Sequence, residues 1–120
     1  MTETMTENRN PADLSAIYFD AWQAGDSDRL RAILAPDVTF AGPMGTADGV
    51  DACVEGLAGM ATMINDIVVH RRLADATDVM TWYDLVTDAG ALPTVNWSQV
   101  ENGLITAIRA TFDPRPLLGG

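Results

Sequence analysis

Asp84 sits in the run Met80-Thr81-Trp82-Tyr83-Asp84-Leu85-Val86, a carboxylate in the middle of an apolar, strand-prone stretch. Aspartate is depleted in strands, so its presence there asks for a reason. Buried without a cationic partner, it would have a raised pKa and would serve as an acid or base near neutral pH. The bland alternative is an aspartate hydrogen-bonded to a neighbouring strand or exposed at a dimer edge, because perturbed carboxylates also occur structurally. Tyr18 is a second candidate, a phenol on a helical apolar face that can donate a hydrogen bond to a ligand. An aromatic core residue with a locally satisfied hydroxyl is the commoner case. His70 is the sole histidine and alternates between Val69 and Arg71. A two-residue turn at Ala76-Thr77 sets it across from Tyr83, on the face opposite Asp84. A turn of odd length shifts the register and joins His70 and Asp84 as an acid/base dyad. An exposed or interface histidine is the plainer reading.

Other chemistry is excluded by composition. All seven of the cationic Lys+Arg residues are arginines, which removes Schiff-base chemistry and a P-loop lysine. The net charge of −10 repels phosphate backbones and anionic lipid, so neither nucleic acid nor a membrane surface is an expected partner. Cys53 is the sole cysteine, which leaves no internal disulfide and too few ligands for a Cys/His zinc site; no metal is expected. Cys53 reads as a small core residue. With a single histidine, no Ser-His-Asp set can be assembled. The polar start MTETMTENRN has no apolar core of a signal peptide, and no apolar run approaches a membrane span. A cytoplasmic location is the expectation, and the Asn96-Trp97-Ser98 sequon reads as chance.

The elements that must position these groups follow from periodicity. The 120 residues make one domain able to bury roughly two-thirds of its unfolded surface. Residues 1–9 read as a flexible tail and 10–120 as the domain. Asn10 caps a first helix, with Pro11 at its first position, and Leu14, Ile17, Tyr18, Ala21 and Trp22 form its buried face. Gly25 ends it. A short second helix packs through Leu30, Ile33 and Leu34 and closes at Pro36. Residues 38–41 read as a short strand, 42–45 as a loop, and 48–60 as a third helix burying Val50, Cys53, Val54 and Leu57. Strands follow over about 66–74, 79–87, 93–100 and 104–112, with turn signals at 75–78, 88–90 and Asn102-Gly103. Helices first and strands last is an α+β pattern, with helices over one face of a curved sheet. Val79, Tyr83 and Leu85 alternate with Met80, Trp82 and Val86, so the sheet is apolar on both faces. Antiparallel sheets usually leave one face polar; the second apolar face predicts a homodimer.

Three groups of residues carry a family resemblance. They are Ile17-Tyr18-Phe19-Asp20-Ala21-Trp22 with Gly25-Asp26 and Leu34-Ala35-Pro36-Asp37-Val38; Gly42-Pro43-Met44-Gly45 leading to Gly49; and Trp82-Tyr83-Asp84-Leu85 with the terminal hairpin. In order and spacing these resemble the SnoaL-like branch of the nuclear transport factor two-like superfamily, which includes the ketosteroid isomerases. That resemblance implies a cone-shaped, curved antiparallel or mixed sheet wrapped around an apolar pocket, with three helices in the N-terminal half. It specifies fold better than chemistry. Ketosteroid isomerases, a worked example of pKa tuning, use a carboxylate base and an oxyanion hole of a tyrosine and a protonated aspartic acid. Tyr18 falls where that tyrosine stands. The base would precede Pro43, where this chain has Gly42, and the aspartic acid would fall near Leu92 or Pro93. Isomerisation by those residues is therefore not expected. Limonene epoxide hydrolase-like members carry an Arg-x-Asp pair on a central strand; Trp82-Tyr83-Asp84 keeps only the aspartate.

On this resemblance Trp22, Phe40, Met80, Trp82, Trp97 and Phe112 are candidate pocket walls. Ile108, Ala110 and Phe112 resemble pocket-facing positions of the isomerase branch, and Asn96, on a strand face with Ser98, can offer neutral polar contacts. The expected function is binding of a small hydrophobic molecule. If catalytic, the protein would use cofactor-free acid/base chemistry on a polyketide-, terpenoid- or steroid-like ligand, with Asp84 as acid or base and Tyr18 and His70 assisting. The alternative is a non-catalytic ligand-binding or dimeric assembly module.

Overall fold

The computed structural model describes residues 9–118, so nearly all of the expected N-terminal tail lies outside the described residues. Helix α1 (Pro11–Ala24) starts where Asn10, in extended conformation, accepts a hydrogen bond from the Asp13 N–H at 2.8 Å. That bond satisfies one of the free donors of the first turn. It stops at Gly25, whose φ of 71° suits glycine and whose N–H donates to the carbonyls of Ala21 and Trp22. Asp26 caps α2 (Ser27–Ile33) by accepting from the Arg29 N–H.

The chain then enters strand β1 (Leu34–Gly42) earlier than expected. Pro36 does not close the helix but lies inside the strand. It is tolerated because pairing with the last strand skips from Leu34 to Thr39, so no ladder bond is asked of its missing N–H. A short β2 (Gly45–Asp48) folds back on β1. It was not foreseen, since four residues reading Gly-Thr-Ala-Asp carry no alternating apolar signal. Helix α3 (Val50–Ala61) follows and buries Cys53, Val54 and Leu57.

Four strands then run as an antiparallel meander: β3 (Asp66–Ala74), β4 (Asp78–Thr87), β5 (Gly90–Glu101) and β6 (Leu104–Thr111). A 3-10 turn, Arg115–Leu118, closes the described chain. The sheet order is β2-β1-β6-β5-β4-β3, with β1 and β6 parallel and every other pair antiparallel. The fold is α+β, a mixed, curved and unclosed sheet with three helices over one face. β5 begins at Gly90, ahead of the expected Pro93. Proline fits there because β6 reaches only as far as Val95, leaving the Pro93 end of β5 paired on one side.

Burial along β4 separates the two faces. Val79, Thr81, Tyr83, Leu85 and Thr87 are buried beneath the helices, while Met80 and Trp82 are exposed. Tyr18, Phe19 and Trp22 of α1 meet Tyr83 in an aromatic cluster, with Phe19 and Tyr83 centroids 4.7 Å apart. The Trp22 indole N–H donates to the Leu57 carbonyl at 2.8 Å and ties α1 to α3. This core leaves two places for function: the helix-covered interior and the open face.

Candidate functional site

His70 and Asp84 do come together, but on the open face. The register shifts between Val69 and Arg71, which pair with Tyr83 and Trp82, so His70 is the extra residue of a β-bulge. A bulge, rather than an odd-length turn, brings the two residues onto one side. His70 Nε2 lies 3.0 Å from Asp84 Oδ2, with the side chains 40% and 26% exposed. The Trp82 ring stands 6.5 Å from the imidazole. Asp84 therefore does not project into the helix-covered interior, where an acid/base role had been expected of it. It also does not meet Tyr18, which is buried under the opposite face.

Met80, Trp82 and Trp97 likewise project from the open face, where cross-strand pairing sets Met80 beside Trp97. The Trp97 indole N–H donates to Asp78 Oδ2 at 2.6 Å. As walls of an interior pocket these three are misplaced, because the alternation of β4 and β5 turns them outward. Asp113 pairs with Arg115, and Arg109 donates to the Thr39 carbonyl and hydroxyl.

The interior holds the remaining candidates. Asn96 pairs with Thr81 on one side and Ala110 on the other, beneath α1. It is 2% exposed. Its Oδ1 accepts from the Ser98 hydroxyl at 2.9 Å, but its Nδ2 has no hydrogen-bond partner. A buried donor left unpaired costs on the order of 1–3 kcal/mol. Both buried phenols feel this amide. Burial pushes the Tyr18 hydroxyl well above its ordinary range, nearby Tyr83 adds to the effect, and Asn96 opposes it. Burial likewise raises Tyr83, again opposed by Asn96. The register sets Asn96 diagonally across from Tyr83 on the same face, and Nδ2 makes no hydrogen bond of normal geometry. Tyr18 and Tyr83 consequently stay protonated as donors through the physiological range. Ser15, Thr81 and the half-buried Arg72 continue the polar path, with Arg72 Nε donating to Ser15 Oγ and Ser15 Oγ 3.2 Å from Thr81 Oγ1.

Tyr83 had gone unassigned. Its alternation with Val79 and Leu85 places it on the Tyr18 side, opposite Asp84.

A cleft of about 160 Å³ opens between the β1–β2 hairpin and α3, lined by Phe40, Met44, Ala47, Cys53, Leu57 and Met60 among others. Phe40 is the expected wall residue found there; the rest belong to segments read as loop or core. The Cys53 thiol is raised by burial and by the Asp48 charge, so it stays a neutral thiol and a poor nucleophile. Trp22 and Ile108 are buried in the core, and Ala110 and Phe112 are half-buried beside it. Among the described residues no group of three or more His, Cys, Asp or Glu side chains is arranged to hold a metal. No helix there is long and apolar enough to cross a membrane.

This geometry has known counterparts. Residues 16–108 match the model of the SnoaL-like domain family. The chain belongs to that family. Among solved structures, an NTF2-like protein of unknown function from Cytophaga hutchinsonii is 25% identical over 91% of this SnoaL-like chain and 95% of its own, with a TM-score of 0.80. A putative ketosteroid isomerase from Kribbella flavida shares 21% identity over 83% and 75% of the two chains, with a TM-score of 0.75. An LEH-like epoxide hydrolase from M. tuberculosis shares 21% over 88% and 84%, with a TM-score of 0.70. At that identity the last two share the fold of this SnoaL-like domain, and their chemistry does not transfer with it. Among curated proteins, none matches this sequence.

Proposed function

We propose that this SnoaL-like domain is a cytoplasmic ligand-binding module that takes a small hydrophobic molecule into the cleft between the β1–β2 hairpin and α3. The observation that carries this reading is the chemistry of the interior. Its buried polar residues are Ser15, Thr81, Thr87, Thr94, Asn96 and Ser98, beside two neutral phenols, with no buried carboxylate or imidazole among the described residues. An interior with donors but no base favours binding over proton abstraction. A cleft of 160 Å³ matches one aromatic or terpenoid ring, since a dry cavity of about 150 Å³ holds benzene. A fused polyketide or steroid skeleton requires the cleft to widen.

Gly56 lines this cleft, and a Cβ built on it meets nothing within 4 Å. Gly56→Leu therefore fills the cleft without a clash, and replacing a mid-helix glycine favours α3 by a few tenths of a kcal/mol or more. Ethylbenzene titrated into 15N-labelled protein is expected to shift resonances of Met44, Ala47 and Met60. Gly56→Leu is expected to weaken this at least about 10-fold, the equivalent of losing a ring's burial in part. No binding to the parent protein would overturn the proposal.

A second reading rests on the 3.0 Å contact between His70 and Asp84. A carboxylate that orients an imidazole makes it an acid/base group, here acting on a ligand at the open face. Asp84→Asn separates the two readings. Under the binding reading ligand uptake is unchanged, whereas under the acid/base reading turnover of any substrate falls by a factor of about 100 or more. The same face carries the proposed homodimer contact, which would cover that pair.

A further inference from the structure

Strand β3 ends the sheet. It pairs with β4 alone, and among the described residues no backbone hydrogen bond reaches its outer edge. Its nine residues include no proline, and Val68, Val69 and Leu73 are 40%, 40% and 66% exposed. A long, apolar, unpaired edge is a template for another strand. The charges along β3 restrict what that strand can be. A second copy paired about a two-fold axis at mid-strand would set the run His70-Arg71-Arg72 against itself, and like charges facing across a ladder destabilise it. Arg72 makes a more specific demand. It is half-buried beside α1, where its Nε donates to Ser15 Oγ at 3.1 Å and its guanidinium lies 5.9 Å from the centre of the Phe19 ring. Among the described residues no carboxylate reaches ion-pair distance of it. A half-buried guanidinium at the rim of the sheet is completed by an anion. The edge therefore suits an acidic, extended segment.

The first residues of this chain are such a segment, and they start from the right place. Helix α1 and β3 lie side by side in opposite directions. Near one end Gln23 donates to Asp66 Oδ1 at 2.7 Å, and at the other Arg9, Asn10 and Pro11 border one surface hollow with Asp75, Ala76 and Thr77. Residues 1–8, outside the described residues, therefore join the chain beside the end of β3. At about 3.3 Å per residue they reach about 26 Å, against about 30 Å for β3. A path back along that edge runs parallel to β3 and puts Glu7 level with the arginine pair. Thr2, Thr4 and Thr6 alternate with Glu3, Met5 and Glu7, which gives β-branched residues on one side of a strand and two carboxylates on the other.

We propose that residues 2–7 add to the outer edge of β3 as a parallel seventh strand, held there by Glu7 against Arg71 and Arg72. This strand forms whether or not the cleft takes a ligand. It turns the edge that most invites association between copies into a paired one.

Amide exchange and NOEs in the 15N-labelled full chain test this. On either side of the His70 bulge, alternate N–H groups of β3 point toward β4 and away from it. The β4-facing set is protected by its own ladder. The outward set is expected to be protected as well, at least about 100-fold over an open chain. Cross-strand NOEs are expected to place residues 2–3 near 67–68 and 6–7 near 72–73. In the double variant Glu3→Lys with Glu7→Lys, lysines face the arginines, and the outward set is expected to lose at least about 10-fold of its protection while the β4-facing set keeps its own. Outward amides that exchange freely in the parent overturn the added strand, as do NOEs in the reverse order. Protection that grows with protein concentration assigns the edge to a second copy, and protection that survives the double substitution removes the charge pairing; either result overturns the proposal.

Discussion

Asn96→Asp is expected to cost at least about 3 kcal/mol of folding stability at pH 7, the range for an uncompensated buried charge. The substitution is nearly isosteric, so packing against Thr81 and Ala110 is preserved and the effect is electrostatic. Neutral hydroxyls from Ser98, Tyr18 and Tyr83 surround the site, and the cation on its polar path, the half-buried Arg72, is engaged with Ser15 and separated from Asn96 by Thr81. Desolvation raises the folded-state pKa of the new acid above its unfolded value near 3.9. The unfolded chain then binds fewer protons than the native one between those two values. Stability relative to the parent is accordingly lost as pH rises from below about 4, and is regained on acidification. Asp75 and Asp113 are lowered instead, Asp75 chiefly by backbone N–H groups of Thr77 and Asp78 and Asp113 by Arg115. They make both proteins less stable in acid, so parent and variant must be compared at each pH. Urea melts from pH 4 to 8 provide the measurement. A pH-independent difference below about 1 kcal/mol would mean that water or a cation reaches Asn96, and that the interior is not the dry donor cluster described above.

Much of this arrangement was legible because local chemistry and tertiary packing agree. Asn10, Pro11 and Gly25 mark α1 through backbone needs that no distant contact overrides. The alternation of Val79, Tyr83 and Leu85 against Met80 and Trp82 reads directly as the two faces of β4. What failed were features set by pairing. The bulge at His70 depends on how β3 meets β4, and neither strand shows it alone. β2 exists because it folds onto β1, and Pro36 is tolerated because of a gap in the β1–β6 ladder. Alternation also divides a strand into two faces without saying which one the helices cover. Asp84, with Met80 and Trp82 of the same strand face, reads equally as a pocket group or as an exposed aspartate at a dimer edge, and only the placement of the helices decides for the open face. Asn96 showed the reverse case: an ordinary polar residue whose unpaired donor becomes visible only when every neighbour is placed.

The open face leads to the last prediction, that the protein is a homodimer and that Trp82→Glu makes it a monomer. Leu73, Met80, Trp82 and Trp97 adjoin one another through the β3–β4–β5 register, and Trp82 alone is 46% exposed. Such a contiguous aromatic patch is uncommon on a monomer. A chain of net charge −10 resists self-association over most of its surface, yet around these tryptophans Asp78 and Asp84 are matched by Arg71 and Arg109 on the same face. Two copies can meet there without net repulsion, and a two-fold axis would set the patch against itself. Truncating a central aromatic commonly costs 2 kcal/mol or more, and the new carboxylate adds its own desolvation, so dimer affinity is expected to fall by a factor of at least about 100. Light scattering at micromolar concentration should give twice 12.8 kDa for the parent and the single-chain mass for Trp82→Glu, with circular dichroism unchanged. A parent of single-chain mass removes the dimer; a dimeric Trp82→Glu moves the contact to another surface and returns the His70–Asp84 pair to solvent, where acid/base chemistry on an outside ligand is again open to it.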